Sequence, residues 1–490
     1  MTYVTNYLTL TSLVVLLPVF LAGAIWVIPA SHTRTVVIAG AVVSVVGASW
    51  LALKIFESRG VHRTGEWIVF DPLAGILVLI VGALGITSIL FSDTYLRGLT
   101  SGVVSQPFRT RLFYSVLLVF WAMLYAVPLA GNLGAAWLLI EGTTATSALL
   151  VGFSGKPRAL EAGWKYLILT SAGMGVALLG IALLGTSSRI GGLGGLSWST
   201  LSRSSGSHPD MLVAFVLVVV GLASKVGWAP VHNWLPDAHS EAPSPISGLL
   251  SGALLPCVLA VTWRTTKAMS PVVGTSPGHE ILIGFGILSL AMAVPFLWQP
   301  LAWKRLLAYS SLEHMGIIAL GIGFGGPLAI AGVIVHLFGH AIAKSLGFYA
   351  SQSLLTHDPR SAKHPPGGVG RSSPKLGATL GISLATLSGF PPLPLFVSEV
   401  LILAGGFENG YLVASILSAL LIAFGFIGLL QALLSTLLGD HHGSQKFHYV
   451  KTSPIFGLAI LATVFLLIIS WVGLYLPSSS FVHRLVSGMG

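Results

Sequence analysis

Charge is what this sequence lacks most. Only 8% of its 490 residues are Asp, Glu, Lys or Arg, against about a quarter in an ordinary soluble domain, and that scarcity excludes a globular fold with a water-facing surface. Cysteine is nearly absent as well. Cys257 stands alone, so no internal disulfide forms and no Cys-x-x-Cys pair holds an iron–sulfur cluster or a structural zinc. Electrons do not cross this chain through a cysteine-ligated centre. Acidic residues are few, 15 against 25 Lys and Arg, yet the basic residues scatter through short loops without a basic arm, so the excess is not a nucleic-acid footprint. No Gly-x-Gly-x-x-Gly links a strand to a helix. The Gly191 to Gly195 cluster follows an apolar run and reads as flexible loop, which argues against a nicotinamide or quinone site here. No cofactor and no metal are expected in the chain.

What is present is apolar sequence. Hydrophobic residues make up 54% of the chain, mean hydropathy is +0.88, and runs of about 20 residues recur, each able to cross a ~30 Å hydrocarbon layer as a helix. The fold class is therefore an all-α polytopic membrane protein. Spans are expected near 7–29, 35–54, 68–92, 111–129, 132–153, 162–185, 211–231, 246–266, 281–299, 306–323, 327–355, 376–405, 410–438 and 453–476. The first lacks a basic leader and a small-residue cleavage site, so it reads as a retained helix. Two longer connections, 186–210 and 356–375, carry too few apolar residues to bury a core and read as flexible or partner-contacting surface.

Fourteen spans put both termini on one side. Sorting loops by Lys and Arg gathers fourteen of the 25 on one face, Arg34, Arg97, Lys156, Lys304 and Lys375 among them. Eight fall on the other, including Arg59, Arg189 and Arg264, and Lys165, Lys225 and Lys344 lie within spans. The richer face is the cytoplasmic one, so both termini are expected outside, in a cell membrane.

With charge so scarce, a charge inside an apolar run carries information, because it costs at least about 2.5–3.5 kcal/mol at the bilayer centre. Glu141, Lys225, Lys344 and Glu399 each sit in such a run. Each could pair with an opposite charge to fix packing; four in one chain favour a proton or ion path. His336, His340 and Lys344 recur every four residues and share one helix face, the pattern of a hydrogen-bonded proton file. Two histidines at that spacing can also grip zinc, but no third ligand of the His-Glu-x-x-His type follows and residue 337 is Leu. Glu161 and Lys165, four apart, read as a structural ion pair.

Two spans should be interrupted. Pro230 follows Lys225 by five residues, and Gly389-Phe-Pro-Pro-Leu-Pro394 ends five before Glu399. Proline removes a helix hydrogen bond and clashes with the preceding turn. Breaks in the seventh and twelfth spans suit two inverted five-helix repeats, spans four to eight and nine to thirteen, each broken in its fourth member. The expected divisions are 1–110, 111–266, 267–438 and 439–490.

The string from Lys225 through Trp228, Pro230, His232, Trp234, Pro236, Asp237, His239, Glu241, Pro243 and Pro245 resembles the signature of the antiporter-like subunits of respiratory complex I, Mrp-type cation/proton antiporters and membrane-bound hydrogenases. The string Lys304-Arg305-Leu-Leu-Ala-Tyr309-Ser-Ser-Leu-Glu313-His314-Met-Gly316 is similar to the same family's second hallmark. The wording from His232 to Pro245 and the His340 to Lys344 pairing look closest to the hydrogenase-4 component F type. The resemblance runs from about residue 68 to 440. It implies a fourteen-helix fold with inverted repeats. It also implies a role for Glu141 and Lys225 as a coupled pair and for Glu399 as the ionisable group of the broken twelfth helix. His232, Asp237, His239, Glu313 and His314 enter as secondary candidates. One departure stands out: no lysine lies between Pro245 and Arg264, where relatives carry one.

The resemblance implies a proton-translocating membrane subunit of a redox-driven complex whose electrons are carried by other subunits. A subunit of that kind would have no catalytic centre of its own. In that reading a proton leaves Lys225 when Glu141 is neutralised and runs along His336, His340 and Lys344 towards Glu399. Two readings stay open beside it. One is a cation/proton antiporter, or the membrane half of an inorganic-carbon uptake system, without a redox partner. The other is a membrane anchor whose charges act only as interhelical glue.

Overall fold

The structure is a computed structural model and describes residues 2–58, 61–98, 106–187, 193–203, 208–439 and 453–488. Arg59, Arg189, Lys446, Lys451, Gly191 and Gly192, which enter the charge and glycine arguments above, lie outside the described residues.

Helices dominate. In chain order they are α1 (Thr2–Ala24), α2 (Thr33–Glu57), α3 (Pro72–Gly98), α4 (Gln106–Leu129), α5 (Leu133–Val151), α6 (Pro157–Ser187), the single turn α7 (Trp198–Leu201) and α8 (His208–Val226). Then follow α9 (Trp234–Glu241), α10 (Ser244–Leu249), α11 (Leu255–Val273), α12 (Ser276–Leu297), α13 (Trp303–Phe324) and α14 (Gly326–His357). The last are α15 (Val369–Ser372), α16 (Pro374–Leu387), α17 (Pro394–Glu408), α18 (Leu412–Leu438), α19 (Ser453–Tyr475) and α20 (Ser480–Gly488). A two-stranded antiparallel hairpin, β1 (His62–Thr64) with β2 (Ile68–Phe70), pairs His62 with Phe70.

Among the described residues, thirteen helical stretches are long and apolar enough to cross a membrane. The expected span 376–405 is missing from that number because its prolines divide it. Helix α16 ends at Leu387, Ser388 to Leu393 are not helical, and α17 starts on Pro394. Likewise α8 stops at Val226 and the chain turns through Gly227, at φ +80°, before α9 begins at Trp234. Helix α10 runs on into α11 through a π-helical turn, Leu250–Leu254, and Pro256 follows directly after that turn.

The chain divides into two compact units. The first holds Met1–Val226 and Glu241–Gly278; the second holds Gly227–Ser240 and His279–Val486. In the first, α6 and α8 approach through small residues. A Cβ on Gly221 would lie 2.4 Å from the Ala177 amide nitrogen, and one on Gly180 would lie 2.6 Å from the Ala214 carbonyl oxygen. Close backbone approach of this kind replaces hydrophobic driving force between helices in lipid. In the second unit α14 and α17 do the same. A Cβ on Gly332 would meet the Ser398 carbonyl at 2.7 Å, and one on Gly405 would meet the Ala329 nitrogen at 2.6 Å.

Two expectations are corrected. Arg264, counted with the loops, lies inside α11, because that helix runs on to Val273. Its guanidinium donates through Nε to Asp71 Oδ2 at 3.0 Å, through Nη2 to Asp71 Oδ1 at 2.7 Å and through Nη1 to the Pro128 carbonyl at 2.7 Å. Both side chains are buried. The segment 356–375, read as flexible or partner-contacting surface, is not a loose loop but is folded onto its neighbours. His357 Nε2 bonds Ser372 Oγ at 3.1 Å, Gly368 N donates to the Ser435 carbonyl at 3.3 Å, and Ser361 and Val369 are buried. The Glu161 and Lys165 pair forms as expected, at 2.6 Å and exposed.

Removing one member of a buried ion pair strands the other in a medium that cannot solvate it, at about 3–5 kcal/mol. Asp71→Ala should therefore lower the thermal stability of the purified chain sharply, and the double variant Asp71→Ala/Arg264→Met should recover most of it. Equal melting of the single variant and the wild type in mild detergent would show that the pair contributes nothing.

Candidate functional site

The first unit holds Glu141 and Lys225. Helix α5 is launched by Asn132, whose side-chain oxygen accepts from the Gly134 and Ala135 amides at 2.8 and 3.1 Å. Two turns further on, that start fixes Glu141 facing α6. There Glu141 Oε1 accepts from Ser171 Oγ, while Oε2 is enclosed without a hydrogen-bond partner. Lys225, one residue before the end of α8, is fully buried. Its ammonium does not pair with Glu141. Nζ donates to Thr144 Oγ1 at 2.7 Å and to Tyr166 Oη at 2.5 Å and lies 4.4 Å from the Tyr166 ring centroid, while Tyr166 Oη shares a hydrogen with Ser147 Oγ at 2.7 Å. Thr144 stands one turn beyond Glu141, and the two ionisable groups are within electrostatic reach of each other.

The second unit holds the larger cluster. His336, His340 and Lys344 lie on one face of α14 and all are fully buried. They do not form a file by themselves. His314 of α13 stands against both imidazoles, with ring centroids 5.1 Å from His336 and 5.2 Å from His340, whereas His336 and His340 are 6.3 Å apart. Ser398 of α17 donates its hydroxyl hydrogen to the Leu395 carbonyl at 2.7 Å, so at 2.8 Å it accepts from His336 Nδ1. That hydrogen bond fixes the tautomer. His336 Nε2 is left with its lone pair and accepts from His314 Nδ1 at 3.2 Å. Lys344 turns to α13, donating to the Leu307 carbonyl at 2.6 Å and to Ser310 Oγ.

Two buried carboxyls complete this cluster. Glu313 packs on a helix with no side chain to spare: a Cβ on Gly425 of α18 would fall 1.9 Å from Glu313 Oε1. Its Oε2 has no hydrogen-bond partner. Glu399 of α17 packs on Gly389, where a Cβ would lie 2.5 Å from Oε2 and φ is +71°. Glu313 is within electrostatic reach of Lys344 and of Glu399.

The remaining candidates lie apart from these bonds. Asp237 of α9 accepts from Arg305 Nη2 at 3.4 Å, a half-exposed contact. His239 is buried and stacks on Phe348 at 5.3 Å. His232, in the turn that precedes α9, is buried. Sequence reading passed over Thr144, Ser147, Tyr166, Ser171, Ser310 and Ser398, which solvate the ionisable groups. One signal was available: Thr143, Thr144, Thr146 and Ser147 follow Glu141 in an otherwise apolar run.

Residues 130–426 match the family model described as "NADH:quinone oxidoreductase/Mrp antiporter, TM". The chain belongs to this family. Among curated relatives it is 33% identical over 423 residues to the hydrogenase-4 component F homolog of Methylacidiphilum infernorum, covering 84% of this chain and 86% of that protein. It is 28% identical to the NADH-quinone oxidoreductase subunit N of Desulforudis audaxviator, over 86% of this chain and 85% of the relative. A chain of the membrane-bound sulfane sulfur reductase, an archaeal respiratory membrane complex, superposes with a TM-score of 0.83 at 18% identity, covering 98% of this chain and 97% of the other. That likeness speaks for the fold. The protein is thus a multi-pass, antiporter-like membrane protein.

The two acceptors of Lys225 can be tested without any transport assay. A buried donor left unsatisfied costs about 1–3 kcal/mol, so Thr144→Val and Tyr166→Phe should each lower stability, and the double variant should lose more than either. Unfolding in mild detergent measures this. Wild-type stability in the double variant would mean that the amine does not depend on these oxygens.

Proposed function

We propose that this chain translocates protons across a membrane as the antiporter-like subunit of a redox-driven complex. The observation that carries the reading is the way its buried amines are held. Lys225 and Lys344 are bonded to hydroxyls, a phenol and a backbone carbonyl, all neutral groups, while the carboxyls sit near them without pairing. An amine solvated by neutral acceptors can give up its proton, because burial disfavours the charge and only a neighbouring opposite charge favours it. A lysine locked to a carboxylate would be a strut.

In this reading Glu141 governs the proton on Lys225 in the first unit, and in the second His314, His336, His340 and Lys344 pass a proton within reach of Glu313 and Glu399. Asp237, His239 and His232 are proposed as access groups. The interruptions at 227–233 and 388–393, each beside an ionisable residue, support two five-helix repeats of inverted topology with broken members. The loop charges support termini on the non-cytoplasmic side. Electrons belong to other subunits, since a single buried cysteine offers no redox centre. The names of the curated relatives, hydrogenase-4 and NADH-quinone oxidoreductase, favour such a setting. The antiporter half of the family's description keeps cation/proton exchange without a redox partner as the second reading.

Lys225→Ala and Glu141→Ala should abolish coupled proton translocation in vesicles while the complex still assembles. Gly425→Ala, which must push the Glu313 carboxyl aside, should impair it as strongly as Glu313→Gln. Gly457→Ala, with nothing near its Cβ, should be silent. Undiminished pumping in the Lys225 and Glu141 variants would remove the mechanism. Sodium-dependent proton flux in the absence of an electron donor would select the second reading.

A further inference from the structure

The three imidazoles of the second unit have a chemistry that proton transfer does not require. His314, His336 and His340 are fully buried, and one ring nitrogen from each lies within 4.8 Å of the others. A tetrahedral ion with metal–nitrogen bonds of about 2.0–2.1 Å sets its ligand nitrogens about 3.3 Å apart. The His336 Nε2 to His314 Nδ1 separation of 3.2 Å already has that length, and the other edges close if His340 swings inward by at most about 1.5 Å.

We propose that His314, His336 and His340 form a binding site for a divalent transition-metal ion of the zinc class. Two points support it beyond the count of ligands. His336 is oriented from behind by Ser398 through Nδ1, which leaves Nε2 facing the cluster, the outer-shell arrangement that fixes metal-binding histidines. An all-imidazole donor set selects zinc, copper, nickel or cobalt over magnesium and calcium, which take oxygen.

Binding takes the lone pair of His336 Nε2 and that of His314 Nδ1. The hydrogen between them therefore moves to the other nitrogen of His314, and no proton is lost. Three protein ligands leave a fourth position for water. The sequence hid this site because its third ligand comes from the preceding helix, not from the next turn of α14. The inference does not rest on proton translocation, since it is read from the metal itself.

The test uses the full chain in lipid nanodiscs, titrated with Co²⁺ as a coloured stand-in for zinc. One saturable equivalent with the intense visible bands of low-coordinate cobalt is expected. Those bands should vanish in His336→Ala and His314→Ala, weaken with about 10- to 100-fold poorer affinity in Ser398→Ala, and persist in His364→Ala, whose side chain is exposed. Absence of a bound equivalent in the wild type, or bands indifferent to His336→Ala, overturns the proposal. Should the histidine variants fail to fold, zinc-edge X-ray absorption of the wild type decides. Three imidazole nitrogens near 2.0 Å support the site, and fewer than three overturn it.

Discussion

Everything in this molecule follows from the cost of keeping an ionisable group where water is scarce. The chain meets that cost in two ways. Arg264 and Asp71 neutralise each other through two N–H···O bonds, and Arg264 spends a third donor on the Pro128 carbonyl, so the pair is closed and fixed. Lys225 and Lys344 are instead surrounded by neutral oxygens from Thr144, Tyr166, Ser310 and Leu307. The first arrangement fastens the hairpin end of α3 to α4 and α11. In the proposed mechanism the second leaves the amine able to exist in two protonation states, with its nearest carboxyl bearing on the balance.

Such solvation needs helices at close range, and side chains that are missing provide it. Lys225 reaches Tyr166 because α6 and α8 meet backbone to backbone at Gly180 and Gly221; Ser398 reaches His336 because α14 and α17 do so at Gly332 and Gly405. At Gly425 and Gly389 the same device makes room for the carboxyls of Glu313 and Glu399. Small residues thus set both the distance between helices and the place of the titratable groups.

Much of this was legible in the sequence. Lys225, Glu141, Lys344 and Glu399 declare themselves because a charge in an apolar run has few excuses, and the prolines after Lys225 and before Glu399 mark where helices stop. What a single helix cannot reveal is its neighbour's register. The stripe of His336, His340 and Lys344 was visible as a stripe, yet His314 had to arrive from α13 to join the imidazoles, and Ser398 from α17 to orient one. The segment after α14 looked like flexible or partner-contacting surface because one of its anchors, the Ser435 carbonyl, comes from the far end of α18.

The orientation imposed by Ser398 on His336 has a further consequence. In the proposed relay, a proton taken up at Nε2 would release the one on Nδ1 to Ser398 only as the hydroxyl turns from the Leu395 carbonyl and passes its own hydrogen onward, and the ring would be left in its opposite tautomer. No successor can follow until ring and hydroxyl have swivelled home. Such a relay would run one proton at a time, with a pause for resetting set by the α17 helix that carries the serine.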